Sequence, residues 1–297
     1  ILHIPATAST RSAMPVELLR SCKLNLLQWR INPKYLAIFL YMALYLWYVT
    51  HGYVDFCRDV DRSIRPWIFP LLPGTPGAFI TVYLGFVLLL SDAPFRSRQQ
   101  QFVLQRVGKR IWAAGQLLYL FLACLVFTLL LWVLTWIFLL PRLEWGWDWG
   151  PVLTTVAASG ISPEYGVWGL EYECMRNVAP LAATAWVFGM MVGVSFLLGE
   201  IMILCNLWLK KGIGLAVVTS FALLPFLVVI TAHTPYAARK LLWISPLSWL
   251  NLSLMGQPNQ GLPSYGFAVG VTVGLSVLLG ILIVGTIHRC NLETEKE

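Results

Sequence analysis

The chain has 297 residues, of which 58% are hydrophobic and 12% charged, with a net charge of +7. A soluble domain carries about twice that charged fraction, so the composition excludes an ordinary soluble enzyme or binding domain. The basic balance comes without a repeated Lys/Arg–aromatic pattern, which speaks against a nucleic-acid partner.

Residues 1–34 lack a contiguous apolar core of the kind a secretory signal carries, and because the chain begins at Ile1 rather than Met, a few residues are expected upstream. Within this stretch, Leu18, Leu19, Cys22, Leu26 and Trp29 fall on one helical arc of about 100°, with Glu17, Ser21, Asn25 and Gln28 opposite. Arg20, Lys23 and Arg30 flank the arc. The pattern predicts an interfacial helix over Val16–Arg30, its leucines and Trp29 dipped into the headgroup layer. It serves as an anchor, a partner contact, or both.

Six apolar stretches follow: Tyr35–Val54, Gly77–Ser91, Trp112–Leu140, Pro180–Asn206, Gly212–Ala232 and Gly266–Ile287. A crossing needs about 20 apolar residues. The second is short. The stretch before it holds Pro70, Pro73 and Pro76, so a broken or re-entrant entry is expected there. The third exceeds the bilayer thickness and should tilt or protrude. The expected fold is therefore all-α: a polytopic bundle of six transmembrane helices over residues 35–287. It sits between a cytoplasmic N-terminal segment (1–34) and a cytoplasmic tail (288–297).

With the N-terminus inside, fourteen of the 21 Lys and Arg fall on cytoplasmic segments and seven outside. By the positive-inside rule both ends are cytoplasmic. The excess basic charge also favours anionic lipid headgroups.

Three further features carry potential function. The cytoplasmic loop Asp92–Arg110 places Phe95 and Phe102 seven apart on one helical face, with Arg96, Arg98 and Arg106 around them. Asp92 is positioned to cap that helix, and Pro94 falls in its first turn. Apolar anchors ringed by arginine suit a protein docking site; the alternative is rest on the membrane surface. Gly108–Lys109 is not half of a phosphate loop, because Val103 and Arg110 occupy the positions that need Gly and Ser or Thr. The outer loop Pro141–Ala179 holds Trp145, Trp147, Trp149 and Trp168, which read as an interfacial aromatic belt rather than a cation or sugar cradle. Glu200 is a carboxylate inside the fourth span. It is either functional, facing a bundle interior or cavity, or placed where it reaches water near the cytoplasmic end. The cysteines show no metal spacing. Cys57 and Cys174 both fall outside, and a bridge between them is the lesser alternative to free thiols.

With these segments in place, the chain resembles the permease subunit of type-2 ATP-binding-cassette exporters. The resemblance rests on the amphipathic N-terminal helix and on the loop phrase "FVLQRVGKRIWAAGQLLYLFL" leading into a long third span. It rests also on the polar stretch "WISPLSWLNLSLMGQPNQGLP" before the last span, where the family has outside half-helices. It implies a coupling helix around Asp92–Arg106, with Asp92 matching the family's acidic residue, seated in a cleft of a separate cytoplasmic ATPase. ATP and Mg would be bound by that partner, so the chain itself has no catalytic, cofactor or metal site and is not an enzyme. It further implies pairing with a second permease, identical or related, in a cell membrane, most simply a bacterial plasma membrane. The cargo is not implied.

A rival reading is a heme-handling membrane protein. "EWGWDWG" superficially resembles the tryptophan-rich motif of that class, and His51 and His233 lie just outside spans. An intramembrane hydrolase would need a His/Asp/Glu cluster within the spans. The only acid there is Glu200, with no His beside it.

Overall fold

The computed structural model describes residues 22, 25, 26, 29, 32–74, 77–95, 108–159, 164–167, 172–209, 212–230, 235–255 and 261–289. Among them the ordered backbone is helical; one isolated bridge joins Ile64 to Leu143. The α-helices are α1 (Pro33–Asp59), α2 (Ala78–Leu90), α3 (Lys109–Leu139), α4 (Gly150–Ser159), α5 (Tyr172–Asn177), α6 (Pro180–Trp208), α7 (Ile213–Ile230), α8 (Pro235–Ile244) and α9 (Tyr265–Thr286).

Local chemistry sets the helix starts. Pro33 and Pro180 occupy first-turn positions, where a missing N–H costs nothing. Asn32 caps α1 by accepting from the Lys34 amide, and Ser264 caps α9 by accepting from the Phe267 amide. Among the described residues four helices are long and apolar enough to cross a membrane: α1, α3 with its short extension to Arg142, α6 and α9. The 31 residues of α3 span about 46 Å at 1.5 Å per residue, well beyond a hydrocarbon core of about 30 Å. α2 and α7 contribute shorter apolar stretches, Thr81–Leu90 and Ile213–Val228.

The proline-rich entry to α2 is broken, as its sequence predicts: Phe69–Gly74 form a 3-10 turn, and its residues Phe69 to Pro73 are all buried. A second broken stretch, Pro246–Leu250 and Leu252–Leu254, follows α8 and precedes α9. Both pack beside α6. Irregular backbone at membrane depth is tolerated where protein covers it and its polar groups find internal partners. Here Ser245 and Ser248 join their hydroxyls at 2.8 Å, the Trp249 indole donates to the Leu242 carbonyl at 2.8 Å, and Trp186 of α6 donates to the Trp249 carbonyl.

α6 is the axial helix, packed by α3, α7 and α9 and by both broken stretches. α1 and α2 pack together; α1 reaches α6 through α3, and α2 packs on α7 and also touches α6 directly. Gly85 permits the closest part of the α1–α2 contact, because a Cβ there would lie 2.8 Å from Met42 Sδ. The Phe86 and Phe127 rings meet at 4.5 Å behind it.

The N-terminal helix sits differently from the expected interfacial anchor. Residues 22, 25, 26 and 29 are helical and share one face by their spacing. Cys22 and Asn25 are buried, while Leu26 and Trp29 are partly buried against the core. The Trp29 indole donates to Tyr119 Oη at 2.8 Å and stacks on Tyr35. Trp29 is therefore held by the bundle rather than dipped alone into headgroups, and Asn25, expected on the wet face, is turned inward. This placement gives a polar partner to an indole that lipid would leave unpaired. Leu18 and Leu19 lie outside the described residues.

Candidate functional site

At one end of the bundle α1, α3 and α7 begin and α2 and α6 finish; Lys34, Lys109 and Arg110 lie here. Residues 91–95 leave α2 as a run of turns, so the helix that Asp92 was expected to cap does not start at that point. Asp92 instead forms an ion pair with Lys34 Nζ at 2.7 Å, and the same ammonium donates to Ser91 Oγ at 2.6 Å. The Asp92 side chain is 51% exposed, so this pair contributes at most about 1 kcal/mol.

The stronger tie is Asn206, near the end of α6. Its Nδ2 donates to the Ala93 carbonyl at 2.7 Å, and its Oδ1 accepts from the Gly212 amide at 3.2 Å and the Gly214 amide at 2.9 Å. One buried amide thus caps the start of α7 and grips the turn that leaves α2. The fit requires glycine at 214: a Cβ there would lie 2.5 Å from the Met202 carbonyl oxygen and 2.8 Å from Asn206 Oδ1.

Phe95 closes the arrangement and corrects an expectation. Its ring is 4% exposed and meets Tyr119 of α3 edge-on at 4.6 Å, while its carbonyl accepts from Gln116 Nε2 at 3.4 Å. A ring already buried in its own chain is not a free anchor for another protein. The apolar face around Tyr119, formed by Trp29 and Tyr35, captures it. Arg96, Arg98, Phe102 and Arg106 lie outside the described residues. The structure therefore brings Asp92, Phe95 and Trp29 to one place, joined by Lys34, Gln116, Tyr119 and Asn206, which sequence reasoning had not singled out. Asn206 had one signal: an amide beside the basic, glycine-bearing turn "WLKKGIG".

Deeper in α6, six residues before Asn206, Glu200 is 1% exposed. It faces Gly280 of α9, where a Cβ would lie 3.3 Å from Glu200 Oε1. Its side chain is thus buried between α6 and α9.

The opposite end is closed by tryptophan. Ile64 and Leu143 pair through backbone bonds of 2.9 Å on both sides of Ile64. Arg65 inserts between Glu144 and Asp148 and donates to the Trp145 carbonyl. Indoles of Trp67, Trp136 and Trp149 each donate to a backbone carbonyl, of Gly146, Pro66 and Val178. Trp145 and Trp147 project outward, the latter 80% exposed. Tyr165 donates to Asp59 at 3.0 Å, and the hydrogen bond to that carboxylate holds the phenol above its ordinary pKa. Trp168 lies outside the described residues.

No family model, curated protein or solved structure matches the chain. The candidate site therefore stands on geometry alone. His51, offered above as an axial ligand, pairs with Asp55 at 3.1 Å and stacks on Trp47; the side chain of His233 lies outside the described residues. Among the described residues no three His, Cys, Asp or Glu side chains gather as a metal site would require. Cys57 carries a free, buried thiol, so the Cys57–Cys174 bridge is not formed.

Proposed function

We propose that this chain is the membrane permease of an ATP-binding-cassette exporter, driven by a separate cytoplasmic ATPase. α2 and α7 complete six crossings, and the end where Lys34 and Lys109 lie faces the cytoplasm, following the Lys/Arg bias along the sequence. The observation that carries this reading is the way residues 91–95 are fixed into the bundle. Lys34 ties them to α1, Gln116 and Tyr119 to α3, and Asn206 to the α6–α7 junction. A loop that only reverses the chain needs no buried amide and no buried ring. A loop that transmits force from a partner does, because displacement must reach several helices together rather than unravel a tether.

In this role Phe95 is the root of the coupling segment. Docking falls to the residues after it, among them Arg96, Arg98, Phe102 and Arg106, whose charges would set orientation and encounter rate. The permease would work as a pair, identical or related, with ATP and Mg held by the ATPase, in a multi-pass cell-membrane location.

Photo-crosslinking tests the reading. A benzophenone amino acid at Arg98 or Phe102 in the full chain, irradiated in cells, should capture an ATPase carrying nucleotide-binding motifs. Capture of lipid alone at both positions would refute the exporter assignment.

A further inference from the structure

α6 and α9 lie against each other along a seam with small or polar residues on both sides. A Cβ at Gly193 would meet the Thr272 methyl at 3.2 Å, and two turns further along α6 Glu200 reaches Gly280. The matching advance on both helices means that they run in the same direction. Ser276 presents its hydroxyl towards the Glu200 carboxyl, one turn from Thr272 on the same face of α9.

Three oxygens in this seam are buried without a hydrogen-bond partner: Glu200 Oε2, Ser276 Oγ and Thr272 Oγ1. Glu200 and Thr272 are both more than nine-tenths buried. None of the ion pairs among the described residues includes Glu200. From α3 the residues at this level are Leu117 and the titratable Cys124; from α9 they are Ser276 and Gly280, both uncharged. In hydrocarbon no water satisfies such groups, and an unpaired buried carboxylate is among the costliest arrangements a protein can hold. A carboxylate kept only for packing would be expected to hydrogen-bond internally. Here Ser276 is the one polar neighbour of the carboxyl and Oε2 is left without a partner, while glycine at 280 gives it room against the α9 backbone.

The donor set states what would satisfy it. The Glu200 and Ser276 oxygens are hard donors, which suit a hard cation rather than a soft metal. One carboxylate supplies one negative charge, and α3, α6 and α9 carry no second Asp or Glu. That balances a single positive charge, whereas sites for divalent ions draw on several charged oxygens. We propose that Glu200 and Ser276, with Thr272 one turn away, form an intramembrane binding site for a monovalent cation, either a proton or Na+. The site stands independently of the exporter reading: it holds for any membrane protein with this seam.

The test uses the full chain in phosphatidylcholine nanodiscs, treated with dicyclohexylcarbodiimide and mapped by peptide mass spectrometry. This apolar reagent attacks a carboxyl that carries a proton, so a bound cation that displaces the proton protects it. Modification at Glu200 is expected, absent in Glu200→Gln. Loss of modification as Na+ rises at fixed pH identifies Na+ as the ligand; loss with rising pH and indifference to Na+ identifies the proton. Ser276→Ala should shift the cation concentration for half-modification about tenfold, the loss of one oxygen partner worth about 1.4 kcal/mol. Absence of modification at every pH, modification indifferent to both pH and Na+, or a titration unmoved by Ser276→Ala would each overturn the site. If Glu200→Gln fails to insert, the Ser276→Ala titration decides alone.

Discussion

Replacing Asn206 with alanine should release the start of α7 and the turn after α2 together. The substitution removes two acceptor contacts, from the Gly212 and Gly214 amides, and one donor contact to the Ala93 carbonyl. The first amides of a helix have no partner within it, so α7 depends on this side chain for its cap. Losing a cap costs about 0.5–2 kcal/mol, and orphaning a buried carbonyl adds about 1–3 kcal/mol. The expected local loss is about 3 kcal/mol, which corresponds to roughly two orders of magnitude in the opening equilibrium. Hydrogen exchange with mass spectrometry reads this directly: peptides covering residues 212–216 should exchange about a hundredfold faster in Asn206→Ala, with those from the middle of α3 unchanged. Asn206→Asp separates the two functions. It keeps both acceptors for α7 but loses the donor to Ala93, so protection over 212–216 should persist while, under the proposed exporter role, transport falls. Unchanged exchange over 212–216 in Asn206→Ala would refute the capping role. Normal transport in Asn206→Asp would refute the link between the turn and α6.

Phe95→Ala should lower the melting temperature of the purified chain, because truncating a buried phenylalanine costs about 3–5 kcal/mol; an unchanged melt would mean that the ring stands free. Gly52→Ala should destabilise by about 1–3 kcal/mol, since a Cβ at Gly52 would lie 2.1 Å from the Tyr165 carbonyl oxygen. Gly270→Ala meets no atom within 4 Å and should melt at or above the wild-type temperature; equal losses at both glycines would discredit the close approach. For orientation, an impermeant thiol reagent added outside cells should label Trp147→Cys and not Gln100→Cys, and the reverse pattern would invert the bundle.

The long apolar helices were legible in the sequence because a membrane span is a one-dimensional property. α1, α3, α6 and α9 announce themselves by length and scarcity of charge, and α1, α6 and α9 also by the proline, asparagine or serine at their starts. The break before α2 was legible for the same reason, through Pro70 and Pro73. Glu200 was conspicuous by its charge alone. What the chain pattern did not disclose was which surfaces meet. A helical wheel separated Trp29 from Asn25 as apolar from polar, but only the packed bundle shows Cys22, Asn25, Leu26 and Trp29 turned to the same neighbours. Phe95 reads as an exposed anchor until Tyr119, from 24 positions along the chain, closes over it. Asn206 had only the neighbouring glycine turn to mark it; nothing local points to its third partner, at 93. Hydrophobic periodicity records how much of a helix avoids water, whereas hydrogen bonds and ring contacts between distant segments depend on the rotation of each helix about its axis, which only tertiary packing sets.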